Sequence, residues 1–229
     1  MEFTKLSNRL DLVASFVPAG ARLLDVGSDH AYLPIALLQE GKIEAAIAGE
    51  VVEGPYQSAL QNVADNGLED KIEVRLANGL AAFEPSDSIS CITIAGMGGR
   101  LIADILAAGL EKLASVSRLV LQPNNREDEL RAWLVDHDFR IVDEAILEEN
   151  EKFYEILVVE QGSQELSAKE LRFGPYLMRE QAPAFVQKWS KEVEKLAFAL
   201  EQVPVENQSA RASLEERIAH IKEVLHVSK

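Results

Sequence analysis

Cysteine is nearly missing from the chain. Cys91 is the only one, so no disulfide can form within the molecule, and a reducing compartment is the expected setting. It sits in the apolar run 89–94, which marks a buried thiol rather than a nucleophile. No apolar run approaches the length of a membrane span. Met1-Glu2-Phe3-Thr4-Lys5 lacks a basic segment leading into an apolar core, so no secretory leader is expected and the protein reads as cytoplasmic. Histidine is sparse too: His137 has no second ligand at usable spacing, and no metal is expected. Positive charge is also in short supply, with 23 Lys/Arg against 38 Asp/Glu and a net charge of −15. Bulk attraction to nucleic acid is therefore excluded, and any RNA contact must come from local basic residues.

The acidity is unevenly spread. Residues 1–163 hold 13 Lys/Arg against 28 Asp/Glu, whereas residues 164–229 balance at 10 against 10. Composition thus divides the chain into a body over residues 1–163 and a neutral tail over residues 164–229.

The body is organised around residues 23–34, Leu-Leu-Asp-Val-Gly-Ser-Asp-His-Ala-Tyr-Leu-Pro. An apolar run predicts a buried strand, an acidic glycine-bearing turn follows, and Leu33, Ile35, Ala36, Leu37 and Leu38 begin a helix. Strand, turn and helix in that order put free backbone N–H groups where a nucleotide-type ligand binds, although an ordinary turn has the same outline. A dinucleotide fingerprint needs Gly-x-Gly-x-x-Gly, and only Gly27 is present, with Asp29 at the second glycine position. A carboxylate there would repel a pyrophosphate. It suits a cofactor with a cationic end, and S-adenosylmethionine, with an ammonium and a sulfonium facing Asp25 and Asp29, fits better than NAD.

Before this stretch, Leu6, Leu10, Val13 and Phe16 predict a helix, with Asn8 and Arg9 on a solvated face. After it, residues 44–50 predict a second strand ending in Glu50. That acid stands 23 residues past Gly27, close to the spacing at which an acid accepts hydrogen bonds from ribose hydroxyls. A helix from Pro55, a strand over 72–76 and then Asn78-Gly79 follow; Asn78 can hydrogen-bond an adenine or simply make a turn. A fourth strand over 89–95 runs into Gly96-Met97-Gly98-Gly99 and a helix over 101–108. No Asp/Asn-Pro-Pro-aromatic clamp for exocyclic amines follows this strand, which favours ring-nitrogen chemistry. A fifth strand ends in Gln122-Pro123-Asn124-Asn125 and is followed by a helix through Trp133. Strands over 141–147 and 153–160 are joined by too few residues for a parallel crossover, so they pair antiparallel.

Beyond Ser167 helical spacing takes over. Phe185, Trp189, Val193, Leu196 and Leu200 form one seam, and Leu214, Ile218, Ile221 and Leu225 form another, separated by the breaker 203–207. Two such seams predict an antiparallel, coiled-coil-like helical hairpin, roughly 30 Å long if each arm has about 20 residues. Trp189 reads as core. Lys188, Lys191, Lys195, Arg211, Arg217 and Lys222 could touch phosphates, but interleaved glutamates make a solvated face the default.

Taken together, Asp25 to Pro34, Ala48-Gly49-Glu50-Val51 with Gly54-Pro55, Ala77-Asn78-Gly79-Leu80, Ile94 to Gly99 and Leu121-Gln122-Pro123-Asn124 resemble the bacterial tRNA (adenine-22-N1)-methyltransferase family over nearly the full chain. The resemblance implies a seven-stranded Rossmann-like methyltransferase sheet, mostly parallel with an antiparallel last strand, followed by a helical hairpin. It also implies methyl transfer from S-adenosylmethionine to N1 of an adenine in tRNA, with the tail contacting tRNA. The cofactor positions it implies are Asp25, Gly27, Ser28, Asp29, Glu50, Val51, Asn78, Gly79, Gly96 and Met97, and Asp29 is the catalytic candidate. Asn78 departs from the Asp that methyltransferases often carry there. Two rivals stay open: a small-molecule methyltransferase, and a non-catalytic helical-hairpin adaptor on an α/β scaffold.

Overall fold

The computed structural model describes residues 4–226. The body runs α1 (Asn8–Phe16), β1 (Ala21–Val26), α2 (Tyr32–Gln39), β2 (Ile43–Glu50), α3 (Glu53–Asp65), β3 (Ile72–Leu76), β4 (Cys91–Met97), α4 (Gly99–Ala108), β5 (Arg118–Pro123), α5 (Glu127–Asp136), β6 (Phe139–Glu149) and β7 (Lys152–Gln161). It is followed by α6 (Ala168–Phe173), α7 (Pro175–Glu180), α8 (Pro183–Gln202) and α9 (Gln208–His226). The seven strands form one sheet in the order β3-β2-β1-β4-β5-β7-β6. β1 to β5 pair in parallel, and β7 lies antiparallel to both β5 and β6. This is the expected Rossmann-like methyltransferase sheet.

Alternation along β1 shows how the layers are built. Leu24 and Val26 pack with Ile92, Ile94, Ile102, Leu106, Leu130 and Leu134 under α4 and α5. Leu23 points to the other face, where Val13, Leu33, Ile35, Leu37, Ala59 and Val63 of α1, α2 and α3 cover it. Both faces of the sheet are buried, which is why its strands read as nearly unbroken apolar runs. Chain order reverses between β1 and β4, and ligands of open α/β sheets bind at the carboxyl ends of the strands on either side of such a reversal.

The β6–β7 connection is tighter than the sequence suggested. Asn150 and Glu151 both have left-handed backbone (φ 52 and 64) between the paired Glu149 and Lys152, the geometry of a two-residue hairpin turn. The tail does not stand free. Phe173, Leu177, Phe185, Trp189, Leu196, Ile221 and Val224 bury themselves with Ile146 of β6, so the helical hairpin is fastened to the edge of the sheet. Ser167 starts this region as the cap of α6, in a reciprocal capping box with Glu170.

A buried ion network reinforces the same junction. Arg131 of α5 is fully buried and pairs with Glu144 of β6 and Glu155 of β7. Glu155 also takes the Lys188 ammonium of α8 at 2.7 Å, and Glu127 of α5 takes it at 3.0 Å. Lys188, expected on a solvated face, is therefore spent inside the protein. Its partners lie 33 and 61 residues away in sequence, which helical spacing cannot reveal.

Candidate functional site

The turn after β1 is held in an uncommon backbone state. Gly27 has φ +66, and Asp29, His30 and Ala31 follow with φ 45, 65 and 58. Left-handed backbone at non-glycine residues costs about 1–3 kcal/mol each and persists only where surroundings over-determine it. Those surroundings are visible. The Gly27 and Ser28 amides both donate to the Gly49 carbonyl, at 2.9 and 3.2 Å, and the Asn62 amide donates to the His30 carbonyl at 3.0 Å. Asp25 is buried, and its two oxygens accept from the Ser28 and Thr93 hydroxyls, each at 2.6 Å. Burial pushes the Asp25 carboxyl above its ordinary value, and the two hydroxyls pull the other way. Asp25 therefore braces the turn from below, through one hydroxyl on each of its oxygens.

Asp29 and Glu50 differ sharply from it. The Asp29 side chain is 83% exposed, with the His30 ring nitrogen 3.6 Å away. Glu50, at the end of β2, is buried, yet its Oε1 has no hydrogen-bond partner. Burial pushes the Glu50 carboxyl up, and the backbone N–H of nearby Asp29 partly offsets this. A buried, unsatisfied carboxylate oxygen costs more than a made bond returns, so it marks a place where a donor is expected. A pair of vicinal hydroxyls would supply two. Val51, next in the chain, is 57% exposed and offers apolar surface.

The remaining candidates fall on the same edge. Asn78 is exposed just past β3, whose end is tied to β2 through the Ala77 amide on the Glu50 carbonyl at 2.7 Å. Gly79 follows with φ +55, where a Cβ would lie 2.9 Å from Ile105 of α4. Asn78, Gly79, Leu101 and Asp104 border a cleft of about 350 Å³. Met97 reaches across to the first turn, its Cε only 2.4 Å from where a Gly27 Cβ would stand. Gly96 (φ +78) and Met97 are held by three bonds that sequence reasoning missed, two on Gly96 and one on Met97. The Gly96 amide donates to Gln122 Oε1 at 3.0 Å, its carbonyl accepts from Asn124 Nδ2 at 2.7 Å, and the Asn124 amide donates to the Met97 carbonyl at 2.7 Å.

Gln122 Oε1 also accepts from Arg9, whose guanidinium rests 5.5 Å over the Tyr154 ring. The reading of Arg9 as a solvated surface residue is thus corrected: it is half-buried and braces the β4 turn from a helix 113 residues earlier. His137 stacks on Trp133 at 4.1 Å, with Nδ1 2.7 Å from the Trp133 carbonyl. Among the described residues no group of three His, Cys, Asp or Glu side chains could hold a metal ion, and no helix is long and apolar enough to cross a membrane.

Gly27, Ser28, Glu50 and Met97 therefore converge directly, Asn78 and Gly79 adjoin them through β3, and Asp29 projects outward at the rim. The arrangement can hold a nucleoside by its ribose and leave a reactive group open to a large substrate.

Comparison with known proteins identifies the chain's family. The family model for tRNA (adenine(22)-N(1))-methyltransferase matches residues 23–223. A curated tRNA (adenine(22)-N(1))-methyltransferase from Bacillus subtilis (strain 168) is 41% identical over 237 residues, covering 98% of this chain and 99% of that protein. A Streptococcus pneumoniae protein crystallised in complex with S-adenosyl-L-methionine is 66% identical, with a TM-score of 0.90 over 97% of this chain and 100% of the other. The crystal structure of the B. subtilis m1A22 tRNA methyltransferase is 39% identical, with a TM-score of 0.86 over 97% of this chain and 99% of that one.

Proposed function

The chain belongs to the tRNA (adenine(22)-N(1))-methyltransferase family, and on that premise we propose that it transfers a methyl group from S-adenosylmethionine to N1 of adenine 22 in tRNA. The observation that carries this reading to the present residues is the buried, unpartnered Oε1 of Glu50 beside the left-handed Gly27 turn. The site fits the cofactor: Glu50 accepts the ribose hydroxyls, and Val51 and Asn78 with Gly79 receive the adenine. Gly27, Ser28, Gly96 and Met97 line the methionine end. Asp25 serves that end indirectly, by fixing Ser28.

When bound, S-adenosylmethionine supplies a methyl carbon made electrophilic by its sulfonium. The chain's work is mainly orientation. The two braced turns fix the donor edge against a base presented from outside, and orientation of this kind can supply about 7–11 kcal/mol in favourable cases. Positive charge develops on the adenine ring as N1 is alkylated, and the exposed Asp29 carboxylate, at the rim, stabilises it or accepts the departing proton. Residues 1–163 form the cofactor-binding domain on this reading, and residues 164–229 form a hairpin that helps hold tRNA. The work is cytoplasmic, where tRNA is found and the single thiol stays reduced.

Calorimetric titration with S-adenosylmethionine, paired with single-turnover transfer to an unmodified tRNA, tests the reading. Glu50→Ala should weaken cofactor binding by about tenfold to a hundredfold, the loss of charge-assisted hydrogen bonds worth about 1.5–3 kcal/mol. Unchanged cofactor affinity in that variant would remove Glu50 from the site, and a wild-type protein that binds no cofactor would overturn the function.

A further inference from the structure

A larger open space lies outside the strand edge just described. A groove of about 800 Å³ runs between α8 and the start of β7. One end of it is Asn124 and Asn125. Asn124 is the residue that bonds both the Gly96 carbonyl and, through its amide, the Met97 carbonyl, and the Asn125 carbonyl takes the Gly99 amide at 2.9 Å. The groove therefore opens onto the turn assigned to the cofactor's methionine end.

Its charges sort into two kinds. Lys188 is consumed by Glu127 and Glu155, and Lys195 stands 3.9 Å from Glu192. Lys152, Arg172 and Lys191 line the same groove with no ion-pair partner among the described residues. Two of these lie against aromatic rings: Arg172 is 5.1 Å over Phe173 and 5.7 Å from the Trp189 ring, and Lys191 is 5.1 Å over Phe153. Asp128 and Glu151 also border the groove, so the attraction is local and depends on where a bound anion's charges fall. A body carrying the whole net charge of −15 repels a polyanion placed at random on it, and these three cations mark a path that leads to the methyl edge.

We infer that this groove seats the phosphate backbone of the tRNA strand next to the target base, with Lys152, Arg172 and Lys191 binding its phosphates. The inference rests on the proposed function and names where its substrate lies. The tail's part is then to form one wall of the groove through α6 and α8, and α9 serves to hold α8 in place. Lys222, exposed on α9 and outside the groove, touches no phosphate.

Binding of an unmodified tRNA transcript, followed by fluorescence anisotropy across a salt titration, tests this. Removing one phosphate-binding side chain should lower the slope of log affinity against log salt by about one. The triple variant K152A/R172A/K191A should lose about two to three from the slope and bind tRNA at least about tenfold more weakly, with cofactor affinity unchanged by calorimetry. Lys191→Glu alone, on an exposed helix position, should lower affinity and slope in the same direction, while Lys222→Ala should match wild type. Wild-type tRNA affinity and slope in the triple variant, or an equal loss in Lys222→Ala, would overturn the assignment. A wild-type protein that methylates tRNA while the triple variant does so equally well sinks the groove alone. A wild-type protein that transfers no methyl to tRNA sinks the function instead.

Discussion

Asp25 and Asp29 stand four positions apart in one turn and are given opposite tasks by their surroundings. Asp25 is buried and spends both oxygens on Ser28 and Thr93, while the Asp29 carboxylate faces solvent at the rim. Asp29→Ala should therefore lower single-turnover transfer by about a hundredfold or more, the usual worth of a positioned acid or base, and leave the cofactor dissociation constant within about threefold. Stopped-reaction kinetics beside calorimetry would show this, and equal losses in both would make Asp29 a cofactor ligand only. The turn itself was legible in the sequence because its signal is local: an apolar run, one glycine and two acids within five positions. The joint bracing role of Arg9, Gln122 and Asn124 was not legible. Gln122 and Asn124 stand out only as a motif after the fifth strand, and Arg9 reads as a surface cation, until the fold brings Arg9 to Gln122 across 113 residues.

Elements were easier to read than the junctions between them. Alternation of apolar strands with helices gave the parallel part of the sheet, and the short link before Phe153 required an antiparallel return, which β7 makes beside both β5 and β6. The seam through Phe185, Trp189 and Leu196 is buried as its spacing implied, but on the second arm Val224 is buried beside Ile221, outside the expected seam. What spacing cannot convey is the docking of that hairpin onto β6, because the docking joins an apolar cluster around Ile146 to charges contributed by four elements. Arg131→Met should cost about 3–5 kcal/mol, since Glu144 and Glu155 would keep buried charge without their main counter-ion. Urea unfolding followed by circular dichroism would measure it. A midpoint shift worth less than about 1 kcal/mol would mean that water or Lys188 already satisfies those carboxylates.

At the scale of the whole molecule, the fold sets a strongly acidic body against a neutral hairpin and leaves a groove where cations without an ion-pair partner among the described residues meet the strand edge. Such a molecule cannot hold RNA by general attraction, so on the proposed reading substrate choice would rest on a few basic side chains and on the shape presented beside Gly96 and Met97. The bracing of that edge, by Asp25 beneath one turn and by Gln122, Asn124 and Arg9 beneath the other, makes sense for a site that works by alignment. Incubation of the purified protein with methyl-labelled S-adenosylmethionine and unmodified tRNA, followed by mass mapping of the digested RNA, tests this most directly. Label should appear at N1 of adenine 22 and vanish when that position is guanine; label at another nucleoside, or none in the RNA, would contradict it.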